Sequence, residues 1–292
     1  MYISVREYGL SNVFGSIKAA LDAMRIDSVE LEYFRDCAVM SPDSTDGARD
    51  SLADAGAIDA FAKKCAGLNL RVSALLMHNN FAAEDLDAEI EWAVSCIEAA
   101  AQLGLKSVRI DAAMHAQTEW SLDRCIQRFA ESMARVLDAT TNLAVDMGIE
   151  NHGHQGNRPE FLDEVFAKVD SLRLGLTLDT ANFYWYGHPL SKVHEIIERF
   201  AQKVKHTHIK NINFPKDIRE TRREIGWEYN TYASSLREGD IDLEWTVKVL
   251  RDAGYSNRLC IEDESLGRRG IEERKAVLID DADYMREVLG AI

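Results

Sequence analysis

Four apolar runs in the second half of the chain end in unusually polar sequence: residues 148–154 (GIENHGH), 178–182 (LDTAN), 205–210 (KHTHIK) and 259–264 (LCIEDE). Carboxylates and imidazoles are the donors that hold divalent cations and the groups that move protons near neutral pH. Side chains alternate along a strand, so one residue at each polar end must point into a shared interior. The candidates are Glu150, Asp179, His208 and Glu262. Twenty-nine residues separate the first pair and 29 the second, one strand–helix unit each, while the 54 between His208 and Glu262 fit one unit lengthened by a long connection. Three carboxylates converging with one imidazole would repel and would be costly to bury, and a single divalent cation would resolve that repulsion. Oxygen-rich ligation with one nitrogen suits Mn2+, Mg2+, Co2+ or Zn2+ alike. Taken singly, each residue reads more simply as a solvated or salt-bridged strand end, and only the shared position favours a metal.

Neighbouring residues extend the candidate site. His152 follows the first polar end and is expected to contact substrate hydroxyls or a metal ligand, or else simply to be exposed, and Asn182 after the second is expected to hydrogen-bond a hydroxyl. Lys210, two positions beyond His208, shares its face and is expected either to polarise a substrate oxygen or to pair with Glu262 or Asp242. Trp185 belongs to an aromatic cluster (Phe183, Tyr184, Trp185, Tyr186) that would suit the C–H faces of a sugar ring, with packing between loops as the plain alternative. Arg223, with Arg219 and Arg222, is a candidate for holding a substrate oxygen, or else a solvated charge. His78, Asp111 and His115 are weaker candidates for the same rim.

Such residues need a scaffold that gathers strand ends. Short β-branched or apolar runs alternate with segments of helical period at 2–6, 28–34, 70–77, 107–112, 145–151, 174–179, 204–210 and 258–263. Eight such runs predict an α/β chain forming a single (β/α)8 TIM barrel with a parallel eight-stranded core, in which the active site lies at the carboxyl ends of the strands. The length of 292 residues accommodates one such domain over 1–292, and no Gly/Ser/Pro-rich linker divides it. Between strands, Leu86, Ile90, Ala93, Val94, Ile97 and Ala101 make an apolar stripe opposite Glu89, Glu91 and Glu98, ended by Gly104. Ile126, Phe129, Met133 and Val136 repeat the pattern within 122–137, and a last helix is expected over 270–288. Residues 211–240 form the one long connection, expected to be a functional loop or lid, or else an ordered surface excursion with a short helix.

Bulk composition narrows the partners. The net charge of −15, without a compensating basic stripe, argues against nucleic acid, and no apolar run approaches membrane-spanning length. Neither G-x-G-x-x-G nor GK[ST] occurs, so a phosphate cradle has no support. Five scattered cysteines without a C-x-x-C pair fit a reducing, cytoplasmic setting. The expected partner is a small-molecule carbohydrate.

The motifs IENHG (149–153), LTLDTAN (176–182), HIK (208–210), GDID (239–242) followed by GY (254–255), and CIE (260–262) resemble those of the xylose-isomerase-like TIM-barrel superfamily of sugar isomerases and epimerases over almost the whole chain. The resemblance implies that Glu150, Asp179, His208 and Glu262 bind one divalent metal, that Glu150 and Glu262 also move protons, and that the barrel often forms homo-oligomers. It further implies isomerisation or epimerisation through an enediolate, with β-elimination by a lyase or dehydratase as the alternative. The family often places histidine three residues after the aspartate, where this chain has Asn182, and that departure adds weight to the lyase. A phosphodiesterase like the endonuclease IV enzymes is disfavoured by sparse histidines and by charge, and a non-catalytic sugar-binding barrel by the retention of all four ligands.

Overall fold

The computed structural model describes residues 1–292. Eight parallel strands close into a barrel: β1 (Tyr2–Arg6), β2 (Ser28–Glu32), β3 (Arg71–Leu76), β4 (Ser107–Ile110), β5 (Asp146–Glu150), β6 (Leu174–Asp179), β7 (Val204–Ile209) and β8 (Arg258–Ile261). Each pairs with its neighbours in sequence, and β8 closes onto β1. A helix follows every strand: α1 (Ile17–Met24), α2 (Ala55–Gly67), α3 (Leu86–Gln102), α4 (Leu122–Ala139), α5 (Pro159–Val169), α6 (Leu190–Phe200), α7 (Leu243–Asp252) and α8 (Ile271–Ala291). All eight strands expected from the sequence are present, ending one or two residues earlier where the expected run was too long.

Local chemistry explains where the helices begin. Ser16, Asp54, Asp85, Ser121 and Asp242 each accept a backbone N–H three residues on, satisfying one of the donors a helix start leaves open. Asp242 is thereby used as a cap and does not meet Lys210. Gly104 lies at φ +70°, the left-handed geometry that ends a helix. In α3 and α4 the expected stripe residues Ile90, Ala93, Ile97, Ile126, Phe129, Met133 and Val136 are buried. Glu89, expected on the solvent side, is buried instead, accepting from Asn80 N at 2.8 Å and pairing with Arg35 at 2.7 Å. No helix is long and apolar enough to cross a membrane.

Residues 211–240 are an ordered excursion. Asn211–Ile212 pairs antiparallel with Ala233–Ser234, and Tyr229–Tyr232 makes a helical turn. The buried Asn211 amide donates to Leu236 O and Ile241 O and accepts from the N–H of Ile212 and of Ile241. Asp240 accepts from Tyr184 Oη and Phe214 N and pairs with Arg219 at 2.6 Å, fastening the segment to the end of β6.

Strands β5 and β6 approach closely at Gly148, where a Cβ would lie 2.2 Å from Thr177 Oγ1 and 2.9 Å from Thr177 N. Overpacking a closed barrel at such a point costs about 1–3 kcal/mol. Gly148→Ala is therefore expected to lower the denaturant midpoint by that equivalent. A wild-type midpoint and slope would contradict the tight approach.

Candidate metal centre

The carboxyl ends of β5 to β7 are aligned by side chains that continue the backbone ladder past the last strand residue. Asn151 Nδ2 donates to Asp179 O at 2.9 Å while its Oδ1 accepts from Asp179 N at 2.7 Å. Thr180 Oγ1 repeats the device one strand on, donating to Lys210 O at 2.7 Å and accepting from Lys210 N at 2.9 Å. Both residues are buried, so these bonds are protected from water. Asp179 Oδ1 accepts from the N–H groups of Ala181 and Asn182 at 2.8 and 2.9 Å, which fixes the carboxylate.

These devices bring Glu150, Asp179, His208 and Glu262 together, with one ligand atom of each lying within 4.8 Å of all the others. All four are buried. His208 presents Nδ1, 2.8 Å from Glu150 Oε1 and 3.0 Å from Glu262 Oε2. Asp179 Oδ2 and Glu262 Oε2 accept no aligned hydrogen bond. Two buried carboxylate oxygens without aligned donors, beside an imidazole nitrogen and a third carboxylate, form a donor set that fits a divalent cation.

The repulsion inferred from the sequence is met by side chains. Arg109, on β4 and fully buried, aims Nε at Glu150 Oε2 at 2.6 Å, and its Nη2 contacts the same oxygen. Its Nη1 donates to Met77 O and to Asp111 Oδ2. Arg6, at the end of β1, bonds Glu262 Oε1. Lys210 Nζ lies 3.0 Å from Asp179 Oδ2, 3.1 Å from Glu262 Oε2 and 3.1 Å from Glu264 Oε1 as charge contacts, including the two oxygens without aligned donors. Three cations thus face three carboxylates, and charge repulsion alone does not demand a metal; the geometry of the donor atoms is the stronger argument.

Electrostatics follow from this pairing. Burial would raise the pKa of Glu150, but Arg109, His208 and His152 outweigh it and hold the carboxyl well below the usual range. Glu262 is likewise held down against its burial by Lys210, Arg6 and His208. Burial pushes Asp179 up to about 6 against the pull of Lys210, with repulsion from Glu150 and Glu262 adding to the rise.

The remaining expected site residues divide. His152 lies at this rim, its Nδ1 2.9 Å from Arg109 Nη2, 3.2 Å from Asp111 Oδ1 and 3.5 Å from Glu150 Oε2. His78 Nδ1 is 3.3 Å from Asp111 Oδ2, so Asp111 joins both histidines to Arg109. Lys210 pairs with Glu262 as one of its expected readings had it. Asn182 is buried and its Nδ2 has no partner. Trp185 is half-buried against Gly226 of the long connection. Arg223 is a correction: its guanidinium donates to the carbonyls of Ile218, Thr221, Tyr184 and His188 and stacks on Tyr184 and Phe214, so it clips the connection together and has little left for a substrate. Phe183, Tyr184 and Tyr186 are buried packing groups, and Trp227 stacks on Tyr232 within the connection.

Arg109, Arg6 and Glu30, which contacts His208 from the far side, carry no expectation from sequence reasoning. Their signal was available: a charged residue within a strand covered on both faces must find a partner on a neighbouring strand.

The xylose isomerase-like TIM barrel family model matches residues 18–288. The chain belongs to this family. Among curated relatives it is 27% identical over 158 residues to an inosose dehydratase of Clostridium botulinum, covering 51% of this chain and 48% of that one. It is 26% identical over 161 residues to a probable endonuclease 4 of Phocaeicola vulgatus, covering 53% and 55%. The chain spans about half the length of the curated relatives it matches. Solved structures share the fold: the IOLI protein with a bound zinc atom (TM-score 0.71, 16% identity, covering 100% of this chain and 99% of that one), a mannonate dehydratase of Streptococcus suis (0.70, 13%, 99% and 93%) and an L-ribulose 3-epimerase (0.69, 18%, 100% and 95%).

Removing one partner of a buried ion pair leaves an uncompensated charge, at about 3–5 kcal/mol. Arg109→Met is expected to lose stability on that scale by denaturant unfolding. A loss below about 1 kcal/mol, the range of exposed pairs, would show that Glu150 and Asp111 do not depend on it.

Proposed function

We propose that this chain is a divalent-metal-dependent enzyme acting on a small carbohydrate or oxidised sugar, with isomerisation or epimerisation as the leading reaction. The observation that carries the reading is the convergence of Glu150, Asp179, Glu262 and the Nδ1 of His208 around two carboxylate oxygens without aligned donors. Those four residues would hold the ion. When bound, it would polarise a substrate carbonyl and stabilise the enediolate left by loss of an α-proton.

The chain's own residues supply the rest. Arg109 and Arg6 keep Glu150 and Glu262 ionised, the state in which a carboxylate accepts a proton. Lys210 carries an ammonium beside Asp179 and Glu262 and is the donor placed to meet a substrate oxygen. His152, with Nδ1 turned to Arg109 and Asp111, has Nε2 free for a substrate hydroxyl, and the unpartnered Asn182 amide can bind another. The half-exposed Trp185 is the remaining aromatic candidate for a sugar face.

A second reading is dehydration or cleavage by β-elimination, favoured by the inosose dehydratase relative and by Asn182 in place of an imidazole. The same bases serve it, because both reactions begin with loss of an α-proton. Action on nucleic acid is disfavoured by the net charge of −15, despite the endonuclease relative. The five free cysteines fit a reducing cytoplasmic setting, and homo-oligomerisation is part of the same family-based reading.

Purified protein is expected to bind one divalent ion per chain, and Glu150→Gln and Glu262→Gln to abolish turnover with the fold retained by circular dichroism. Full activity after exhaustive chelation would sink the mechanism. Incubating ketoses, aldoses and 3-keto-glycosides in deuterated water separates the reactions: an isomeric product carrying carbon-bound deuterium supports the leading reading, and an unsaturated or cleaved product the second.

A further inference from the structure

One step deeper in the barrel than the four candidate ligands is a polar layer that the proposed reaction does not use. Glu30, in the middle of β2, is completely buried. Its Oε1 lies 2.6 Å from His206 Nε2 and its Oε2 lies 2.7 Å from His208 Nε2. Cys260 Sγ also donates to Oε2, at 3.5 Å.

The protons in this layer can be assigned. The Arg258 guanidinium is always protonated, and its Nε donates to His206 Nδ1 at 2.9 Å. His206 Nδ1 must therefore be bare, which puts that ring's proton on Nε2, donating to Glu30. Glu30 thus accepts at Oε1, and its Oε2 faces His208 Nε2 and the Cys260 thiol. An ionised carboxylate only accepts, so the His208 Nε2 facing it must carry a proton. With Nε2 so committed, Nδ1 is the nitrogen left to offer a lone pair to an ion; without an ion it faces Glu150 and Glu262 and carries a proton to them.

We infer that Glu30 is a positioning residue for the metal centre, fixing the His208 ring in the orientation and tautomer that present Nδ1 to Glu150, Asp179 and Glu262, with His206 and Arg258 fixing Glu30 in turn. The inference rests on the metal reading proposed above. A carboxylate behind a ligating imidazole makes it a stronger donor, and losing such a partner commonly weakens metal binding about 10- to 100-fold.

Glu30, His206, His208 and Cys260 also have ligand atoms within 4.8 Å of one another and so offer a competing place for an ion. Two features argue against it. Each Glu30 oxygen is within 2.7 Å of an imidazole nitrogen, a separation that holds a hydrogen between them. The Arg258 cation donates directly to His206, where it would repel a second positive charge.

The test is zinc affinity of the full chain by chelator competition, for wild type, Glu30→Gln and Cys260→Ser, with X-ray absorption and imidazole nitrogen NMR on the zinc-loaded wild type. The amide introduced by Glu30→Gln could accept from only one of the two histidines and would set N–H against N–H at the other. Expected are one zinc per wild-type chain, affinity reduced about 10- to 100-fold in Glu30→Gln, no change in Cys260→Ser, no sulfur ligand, and a His208 proton on Nε2. If Glu30→Gln does not fold, the NMR and absorption results still decide. Equal zinc affinity in folded Glu30→Gln, a proton on His208 Nδ1, a sulfur ligand, or a second zinc lost in Cys260→Ser each overturns this inference while leaving a metal enzyme standing. A wild type that takes up no divalent ion overturns the proposed function and this inference together.

Discussion

Charge placed inside a barrel has to be balanced within a few ångströms, because water is excluded and an unpaired ion there costs several kcal/mol. In this chain that constraint organises the interior. Arg6, Arg109 and Lys210 come from β1, β4 and the end of β7, and they interleave with Glu262, Glu150 and Asp179 from the ends of β8, β5 and β6. Deeper in, Arg258 and Glu30 balance one another through the neutral ring of His206. Strand order, closure and the approach of β5 to β6 at Gly148 set the distances over which this pairing operates. Outside the barrel, side-chain caps on five helices and the buried faces of all eight hold the strands in that arrangement.

The fold and the four candidate ligands were legible because both follow from local pattern. Apolar runs set off by helical periods mark strands, and a carboxylate or imidazole closing such a run is visible in a few residues. The balancing groups were harder to read. Arg109 meets Glu150 across 41 residues, Arg6 meets Glu262 across 256, and Glu30 meets His206 across 176, so no local window contains both partners. Only the combination of a charge in mid-strand with a barrel covered on both faces would have pointed to them. Repulsion among the three acids does not by itself call for a metal, because Arg6 and Arg109 oppose them alongside Lys210, whose pairing with Glu262 was expected.

Arg223 and Glu89 show the complementary error. Arg223 was read from its sign and its place near the rim, yet its position is set by carbonyl groups and aromatic faces of its own connection, which suit a planar five-donor cation. Glu89 fell on the expected solvent face of α3 but meets Arg35 and the N–H of Asn80 in the connection after β3. Helical period describes how a helix sits on the barrel. It does not describe the loops that fold over its exposed side.

The interleaving of Arg6, Arg109 and Lys210 with the three acids has a consequence for how an ion would arrive. In small domains that fold around zinc, the apoprotein is unfolded and metal binding supplies the folding energy. Here most of the core is apolar and the acids already have cationic partners, so folding would not wait on the loading of an ion. An ion entering a finished barrel would be selected by supply and exchange in its surroundings, and its identity would be a property of the cell's metal pools as much as of the sequence.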